Sequence, residues 1–193
     1  AVSHAYFQRL VANSLPADSG LADEAFVEGI SHARTPARLI PEVRTVWQMF
    51  SEKFELPLER FVAAEEHGAE GRVSWTPDLV LAHPNNELEV IDLKWGYAPP
   101  MTEDAVRTLF QARVYSRYAH ERWKNFSAYR FTIFAARFNR SVSVTFKLSD
   151  LDTVDLELAA AIATIEKAEA DNEWPAIPGP ACAWCNLQCE VVD

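Results

Sequence analysis

Glycine is scarce in this chain, and the scarcity excludes several common nucleotide-binding sites. Only six glycines occur among 193 residues, and they form no glycine-rich phosphate loop. The hydrolase motifs G-x-S-x-G and H-E-x-x-H are also missing. No apolar run is long enough to span a bilayer, and no charged-then-apolar leader opens the sequence. We therefore expect a protein that is neither exported nor held in a membrane.

Cysteine is equally restricted, since all three cysteines lie between residues 182 and 189. An odd number of thiols packed so closely does not build a disulfide framework, and it favours a reduced, cytoplasmic compartment. The chain begins at Ala1 and its first methionine is Met49. We interpret this as an N-terminus that has been trimmed.

Net positive charge is absent, because the formal net charge is −10. That value argues against a protein that coats nucleic acid non-specifically. It leaves room for an acidic site beside a local basic groove. Five basic residues of one segment are candidates for such a groove, although taken alone they favour a solvated helix face: Arg107, Arg113, Arg117, Arg122 and Lys124.

What the chain does contain is a hydrophobic share of 49%, enough for a folded domain with a real core. The apolar spacing predicts helices over 39–54, 103–120 and 151–170, and strands over 60–65, 72–82, 87–93, 129–137 and 142–147. This order predicts one α/β domain with a mixed central sheet flanked by helices. We expect a single domain over 1–193, with a helical part at 1–58, the sheet and its helix at 59–150, and a C-terminal helix and cysteine loop at 151–193.

The stretch TPDLVLAHPNNELEVIDLKWG carries the chemistry. Asp92 and Lys94 share one face of a strand, ~7 Å apart along it. If the preceding strand pairs with it as a hairpin, Asp78 comes alongside Asp92. Two converging carboxylates repel each other until a hard cation such as Mg²⁺ or Mn²⁺ lies between them. Lys94 would then orient or help to deprotonate a water on that metal. Either half of the pattern alone is typical of a turn or of an amphipathic strand, whereas the ordered combination indicates a site.

These residues resemble the PD-(D/E)xK nuclease superfamily, with an aspartate as the second acid. Gln111 and Tyr115, in FQARVYSRYA, are similar to the Q-x-x-x-Y pattern of its RecB-like branch, which includes phage-type exonucleases. The resemblance covers about residues 60–190. It implies a restriction-endonuclease-like core in which Gln111 and Tyr115 brace the catalytic site or touch the substrate.

The C-terminal cysteines are a second point of resemblance. Cys182, Cys185 and Cys189 are similar to the three C-terminal cysteines of RecB-like nucleases, including CRISPR-associated ones. In those relatives a fourth, N-terminal cysteine completes a 4Fe–4S cluster. The last spacing is shorter here, and no cysteine precedes Cys182. A lost fourth ligand, a non-cysteine ligand and the absence of a cluster all stay open, and zinc is the alternative metal.

Two more positions match acidic or histidine ligands of the family. Glu65, or its neighbour Glu66, corresponds to an acid found before the PD element. Gly29 and His32 resemble a histidine element on the first helix, although the spacing is one residue short and Pro36 follows closely. A surface histidine is the alternative for His32.

The resemblance implies a metal-dependent nuclease, in particular a DNA exonuclease that acts on ends or single strands. It also implies a helicase or recombination partner and a cytoplasmic, phage-encoded setting. Two alternatives come from other classes. One is a non-cleaving nucleic-acid-binding part of a helicase–nuclease assembly, and the other is a structural zinc or Fe–S protein.

Overall fold

A five-stranded mixed sheet forms the centre of the molecule. The computed structural model describes residues 19–32, 37–53, 60–95 and 101–174. The strands of the central sheet follow the spatial order β1-β4-β5-β6-β7. Their bounds are Phe61–Ala63 (β1), Leu79–His83 (β4), Glu87–Lys94 (β5), Ala128–Ala135 (β6) and Arg140–Lys147 (β7). Only β5 and β6 pair in parallel, and the other neighbours are antiparallel. The predicted α/β class with a mixed central sheet is therefore confirmed.

Helices precede, connect and follow the strands of this sheet along the chain. They are α1 (Ser19–His32), α2 (Ile40–Lys53), α3 (Glu103–Thr108), α4 (Phe110–Arg122), α5 (Leu148–Leu151) and α6 (Val154–Asp171), with single 3-10 turns at Ala37–Leu39 and Ala136–Phe138. The parallel β5–β6 pair requires a crossover, and α3 and α4 lie within it. By the density of its contacts the chain divides into two units, one ending at Val154 and the other beginning at Asp155. The single domain over 1–193 stays a prediction.

One face of the sheet packs on α1 and α2. Phe26 and Trp47, both fully buried, join Leu79, Ile91 and Leu93 in one hydrophobic cluster. The other face of the sheet carries the alternate residues of β5, of which Leu88 and Val90 are buried. This alternation follows from the pleat, which sends successive side chains of a strand to opposite sides. Asp92 therefore lies on the face of Leu88 and Val90, as predicted.

Helix α4 covers that second face. Tyr115 meets Phe131 of β6 edge-to-face, with ring centroids 6.1 Å apart. At the far end of the helix, His120 Nδ1 lies 3.0 Å from the hydroxyl of Tyr129, which is also on β6. The helix is thus fixed along its length above β5 and β6, and its polar residues near the start face the end of β5.

The predicted strand 72–82 is wrong, because the chain forms one strand before Thr76 and another, β4, after Pro77. Residues Gly68–Glu70 (β2) and Val73–Trp75 (β3) pair with each other as a small separate hairpin. Pro77 has no N–H for a ladder, and the N–H and C=O of Thr76 both bond the Tyr115 hydroxyl instead of a strand. The break puts Asp78 immediately before β4 rather than inside a strand.

The predicted helix 103–120 is also wrong as a single element. Thr102 caps α3 by accepting a hydrogen bond from the Ala105 N–H, as its sequence position indicates. The chain then turns at Leu109, an extended residue that ends α3 and precedes α4. The Thr108 hydroxyl bonds back to the Ala105 carbonyl, which favours termination there. Phe110 consequently begins a new helix.

None of the helices in the described ranges is both long and apolar enough to cross a membrane. The helix that carries His32 exists as α1, with His32 as its last residue. The cysteines Cys182, Cys185 and Cys189 lie outside the described residues, as does the N-terminal stretch before Ser19.

Candidate active site

Two aspartates meet where β4 begins and β5 ends. In the antiparallel ladder Leu79 pairs with Ile91, so the next rung brings Asp78 beside Asp92. The N–H of Leu93 donates to Asp78 Oδ2 at 2.5 Å. The hairpin therefore holds the first aspartate against the backbone that carries the second, which is the juxtaposition that the sequence predicted.

Asp92 is a buried carboxylate, only 7% exposed. Its Oδ1 accepts a hydrogen bond from Gln111 Nε2 at 3.0 Å. The ammonium of Lys94 lies 2.7 Å from Oδ2, and the lysine side chain itself is half exposed. Oδ2 is buried and has no hydrogen bond beside this ion pair. A cation that takes the place of the ammonium would find one carboxylate oxygen directed to it.

The carboxyl of Asp78 has a pKa above the ordinary range of an aspartate. Burial is the largest cause and raises the pKa of Asp78 to about 6, from an ordinary value of 3.8. The Leu93 N–H and the charge of Lys94 oppose this rise, while the charges of Asp92 and Glu65 add to it. Raised carboxyl pKa values of this origin are concentrated at functional sites.

Glu65 and Glu66 turn out to lie in different surroundings. The carboxylate of Glu66 pairs with Arg122 Nε at 2.8 Å. The backbone of Glu65 is left-handed (φ 51°), and its N–H donates to the Pro77 carbonyl at 3.0 Å. Because the charge of Glu65 acts on the Asp78 carboxyl, it is Glu65 that lies on the side of the two aspartates.

Gln111 and Tyr115 are one helical turn apart on α4 and contact both halves of the hairpin. Gln111 reaches Asp92, as described above. The Tyr115 hydroxyl donates to the Thr76 carbonyl at 3.3 Å and accepts from the Thr76 N–H at 3.4 Å. Thr76 lies two residues before Asp78. A single helix thus contacts the second aspartate directly and the approach to the first through the backbone.

A hairpin that was not predicted from the sequence supports the segment leading to Asp78. The β2–β3 hairpin leans on α4 through Trp75 and Tyr118, whose rings stack with centroids 3.8 Å apart. Gly68 lies beneath the indole, and a Cβ there would stand 2.2 Å from the ring of Trp75. The signal in the sequence was Gly71, which adopts a left-handed φ of 57° at the hairpin turn.

A second missed feature is a polar network on the opposite face of β5. Glu89 accepts from Thr132 Oγ1 at 2.6 Å and contacts His83 Nε2 at 2.7 Å. Glu87 accepts from Thr145 Oγ1 at 2.7 Å and from Arg130 at 2.6 Å. Burial opposes ionisation of Glu87, but these two partners hold its pKa below the ordinary value. The alternating Glu87 and Glu89 were the available signal. Since each carboxylate is fully partnered, the network is structural.

The basic residues of α4 are engaged in contacts within the protein. Arg117 pairs with Glu121, Arg122 with Glu66, and Lys124 with Glu121. In α3, Arg107 donates to the Thr145 carbonyl. These contacts favour the predicted solvated helix face over a groove of unpaired charge.

The donor set at the two aspartates fits a small divalent cation. Mg²⁺ prefers oxygen ligands and is often held by one or two carboxylates together with substrate phosphates. Asp78 and Asp92 supply two carboxylates, one of which has a buried oxygen without a hydrogen bond. In the described part of the chain, no three His, Cys, Asp or Glu side chains are grouped as a ready ligand set. Glu65 as a metal ligand stays a prediction, and nothing is described of the His32 side chain.

An acid pair, of which Asp92 is buried, and an adjacent lysine thus lie at the end of β5, the middle strand of the mixed sheet. The sequence matches the model of the PD-(D/E)XK nuclease superfamily over residues 2–189. The chain therefore belongs to the PD-(D/E)XK nuclease superfamily. No curated protein sequence matches it significantly.

Proposed function

We propose that this protein is a Mg²⁺- or Mn²⁺-dependent DNA exonuclease of the RecB-like branch, with its site at Asp78, Asp92 and Lys94. The observation that carries the proposal is the convergence of these three side chains at the junction of β4 and β5, with Asp92 Oδ2 buried and lacking a hydrogen bond. Enzymes of this superfamily generally use Mg²⁺ or Mn²⁺ and act on DNA.

Each residue of the site would have its own role in hydrolysis. Asp78 and Asp92 would hold the cation, with a main-chain carbonyl near Leu93 as a further oxygen ligand. The cation would supply Lewis acidity toward the phosphate and the attacking water. Lys94, half exposed and already beside Asp92, would exchange its carboxylate partner for the water and orient it. Gln111 would keep Asp92 in a single rotamer by its hydrogen bond to Oδ1.

The decisive experiment is cleavage of end-labelled single-stranded and double-stranded DNA with Mn²⁺ or Mg²⁺, beside an EDTA control. A closed circular single strand of the same sequence tests for exonuclease action. We expect metal-dependent shortening of the linear strands and an intact circle, and the labelled end that persists gives the polarity. Cleavage of the circle would show that the protein acts as an endonuclease rather than as an exonuclease. No cleavage by a folded, metal-replete sample would favour a non-cleaving binding module.

The cysteines extend the proposal to a cluster. Cys182, Cys185 and Cys189 would hold a 4Fe–4S cluster, or zinc, and tie the C-terminus to the domain; their spacing supports this. Anaerobic purification followed by iron, sulfide and zinc analysis tests it. Visible absorption together with iron and sulfide would identify a cluster, and zinc alone would identify a zinc site. If the protein contains none of these, the cysteines are removed from the proposal. A helicase or recombination partner is part of the same proposal and is tested by co-purification.

Tyr115→Phe tests whether α4 positions the first aspartate. Loss of the hydroxyl frees both backbone groups of Thr76, and we expect cleavage to fall by roughly tenfold because Asp78 is no longer fixed. A folding cost of about 1 kcal/mol accompanies the lost hydrogen bonds. Initial cleavage rates and thermal unfolding measure the two effects.

The matched control for that variant is Tyr129→Phe. It removes another hydroxyl, which donates to the Trp123 carbonyl at 2.9 Å and lies 3.0 Å from His120 at the far end of α4, but it does not touch the approach to Asp78. We expect a comparable loss of stability with unchanged cleavage. Equal losses of activity in the two variants would show that Tyr115 contributes only to stability.

A further inference from the structure

An exposed aromatic ring stands at the first residue of the helix that braces the site. Phe110 begins α4 and is 42% exposed. The guanidinium carbon of Arg113, one turn along the same helix, lies 5.8 Å from the centre of the ring, within cation–π range. A single exposed apolar ring is common on protein surfaces, so it is the position of this ring and the guanidinium beside it that indicate a ligand.

The ring is next in sequence to a residue that touches the active carboxylate. Gln111 donates to Asp92 at 3.0 Å. Consecutive Cα atoms are about 3.8 Å apart, so the Cα of Phe110 lies next to that of Gln111, at the end of α4 whose glutamine contacts Asp92. The turn at Leu109 fixes this position, since it separates α3 from α4 and makes Phe110 the leading residue of the helix.

We propose that Phe110 is a specificity-determining residue that stacks against an unpaired base next to the scissile phosphate. This inference rests on the proposed nuclease function and names its substrate class, namely single-stranded DNA or an unwound end. In a duplex the faces of the bases are covered by their neighbours, so only an unpaired or splayed base can present a face to the ring. Stacking on an aromatic side chain tolerates any sequence, because every base has a π-face.

The charge distribution supports stacking as the source of affinity. The chain has a formal net charge of −10, which disfavours binding that rests on phosphate contacts alone. The arginines Arg117 and Arg122 are already paired with glutamates. A ring with a guanidinium against it offers a base face and a positive charge together.

Phe110→Ala tests the proposal in two arms. In the first, cleavage of a single strand is compared with cleavage of a blunt duplex of the same sequence, and the ratio of the two rates should fall by about tenfold. In the second, a 2-aminopurine base is placed at successive positions of a single strand in EDTA. Wild-type protein should quench its fluorescence most strongly at one position, and Phe110→Ala should lose that quenching.

Two further variants separate stacking from structure. Phe110→Tyr keeps an aromatic ring and should retain both the rate ratio and the quenching. Leu148→Ala removes a side chain of matched exposure, 43%, at the start of α5, next to the end of β7 that pairs with the beginning of β6. It should change neither measurement.

An unchanged rate ratio and unchanged quenching in Phe110→Ala would overturn the inference. So would equal effects of Phe110→Ala and Leu148→Ala. The fluorescence arm requires no cleavage, so it judges stacking even if the wild-type protein hydrolyses no DNA. Failure of the proposed function appears separately, as absence of cleavage by the wild type on every substrate.

Discussion

Replacing Asp92 by Asn should reduce DNA cleavage by on the order of a thousandfold while leaving the protein folded. The substitution preserves an oxygen that accepts from Gln111 and keeps the side-chain volume. It removes the negative charge that would hold the cation and that now pairs with Lys94 at 2.7 Å. Loss of several kcal/mol of charge stabilisation in the transition state corresponds to at least that factor. Initial rates on end-labelled DNA under saturating Mn²⁺ measure it.

The matched control lies on the same strand. Glu89 is also a buried carboxylate of β5, but it faces the opposite side and bonds Thr132 and His83. Glu89→Gln should lower the melting temperature yet cleave DNA at nearly the wild-type rate well below that temperature. If Glu89→Gln and Asp92→Asn lose activity in parallel, buried charge on β5 matters only for folding and the assignment of Asp92 fails.

Asp78→Asn should stabilise the metal-free protein and abolish its stabilisation by Mn²⁺. The folded protein retains the Asp78 proton up to a pH of about 6, whereas the unfolded chain releases it near 3.8. Between these values the folded state binds more protons, so stability falls as the pH rises through this window. Above it the buried charge costs up to about 3 kcal/mol. Asparagine avoids that cost and still accepts from the Leu93 N–H.

Thermal unfolding at pH 7.5 and pH 4.5, with Mn²⁺ and with EDTA, measures this prediction. In EDTA at pH 7.5 the variant should melt about 3–6 °C above the wild type, and the difference should shrink at pH 4.5. Mn²⁺ should raise the melting temperature of the wild type alone, because only a metal that binds the folded state stabilises it. Asp152→Asn, at an exposed acid, serves as the control. An equal response of wild type and Asp78→Asn to Mn²⁺ would remove Asp78 from the metal site.

The sequence predicted most of what positions the site. Strands 87–93 and 129–137 agree with β5 and β6 because alternating or continuous apolar residues leave few other conformations open to them. Asp78, Asp92 and Lys94 were named from their order and spacing, and Gln111 from its resemblance to a family pattern. The first three lie together because a short hairpin allows a single register.

What the sequence could not predict depended on contacts distant in the chain. The break at Thr76 follows from a tyrosine hydroxyl 39 residues away, and no local pattern encodes such a partner. The division of the long helix at Leu109 follows from one back-bonded threonine and from packing on the sheet. The different surroundings of Glu65 and Glu66 are set by Arg122, far along the chain. The predictions at Thr76 and Leu109 were errors, whereas the sequence left the choice between Glu65 and Glu66 open.

The position of helix α4 determines how local unfolding would affect the site. Gln111 and Tyr115 occupy adjacent turns, and one bonds the second aspartate while the other bonds the peptide that leads to the first. We expect a local opening that lifts this helix off β5 and β6 to remove its contacts to the second aspartate and to the peptide before the first in the same event. The β4–β5 ladder and the Leu93 N–H would still hold the two carboxylates side by side, but without the side chains that orient them.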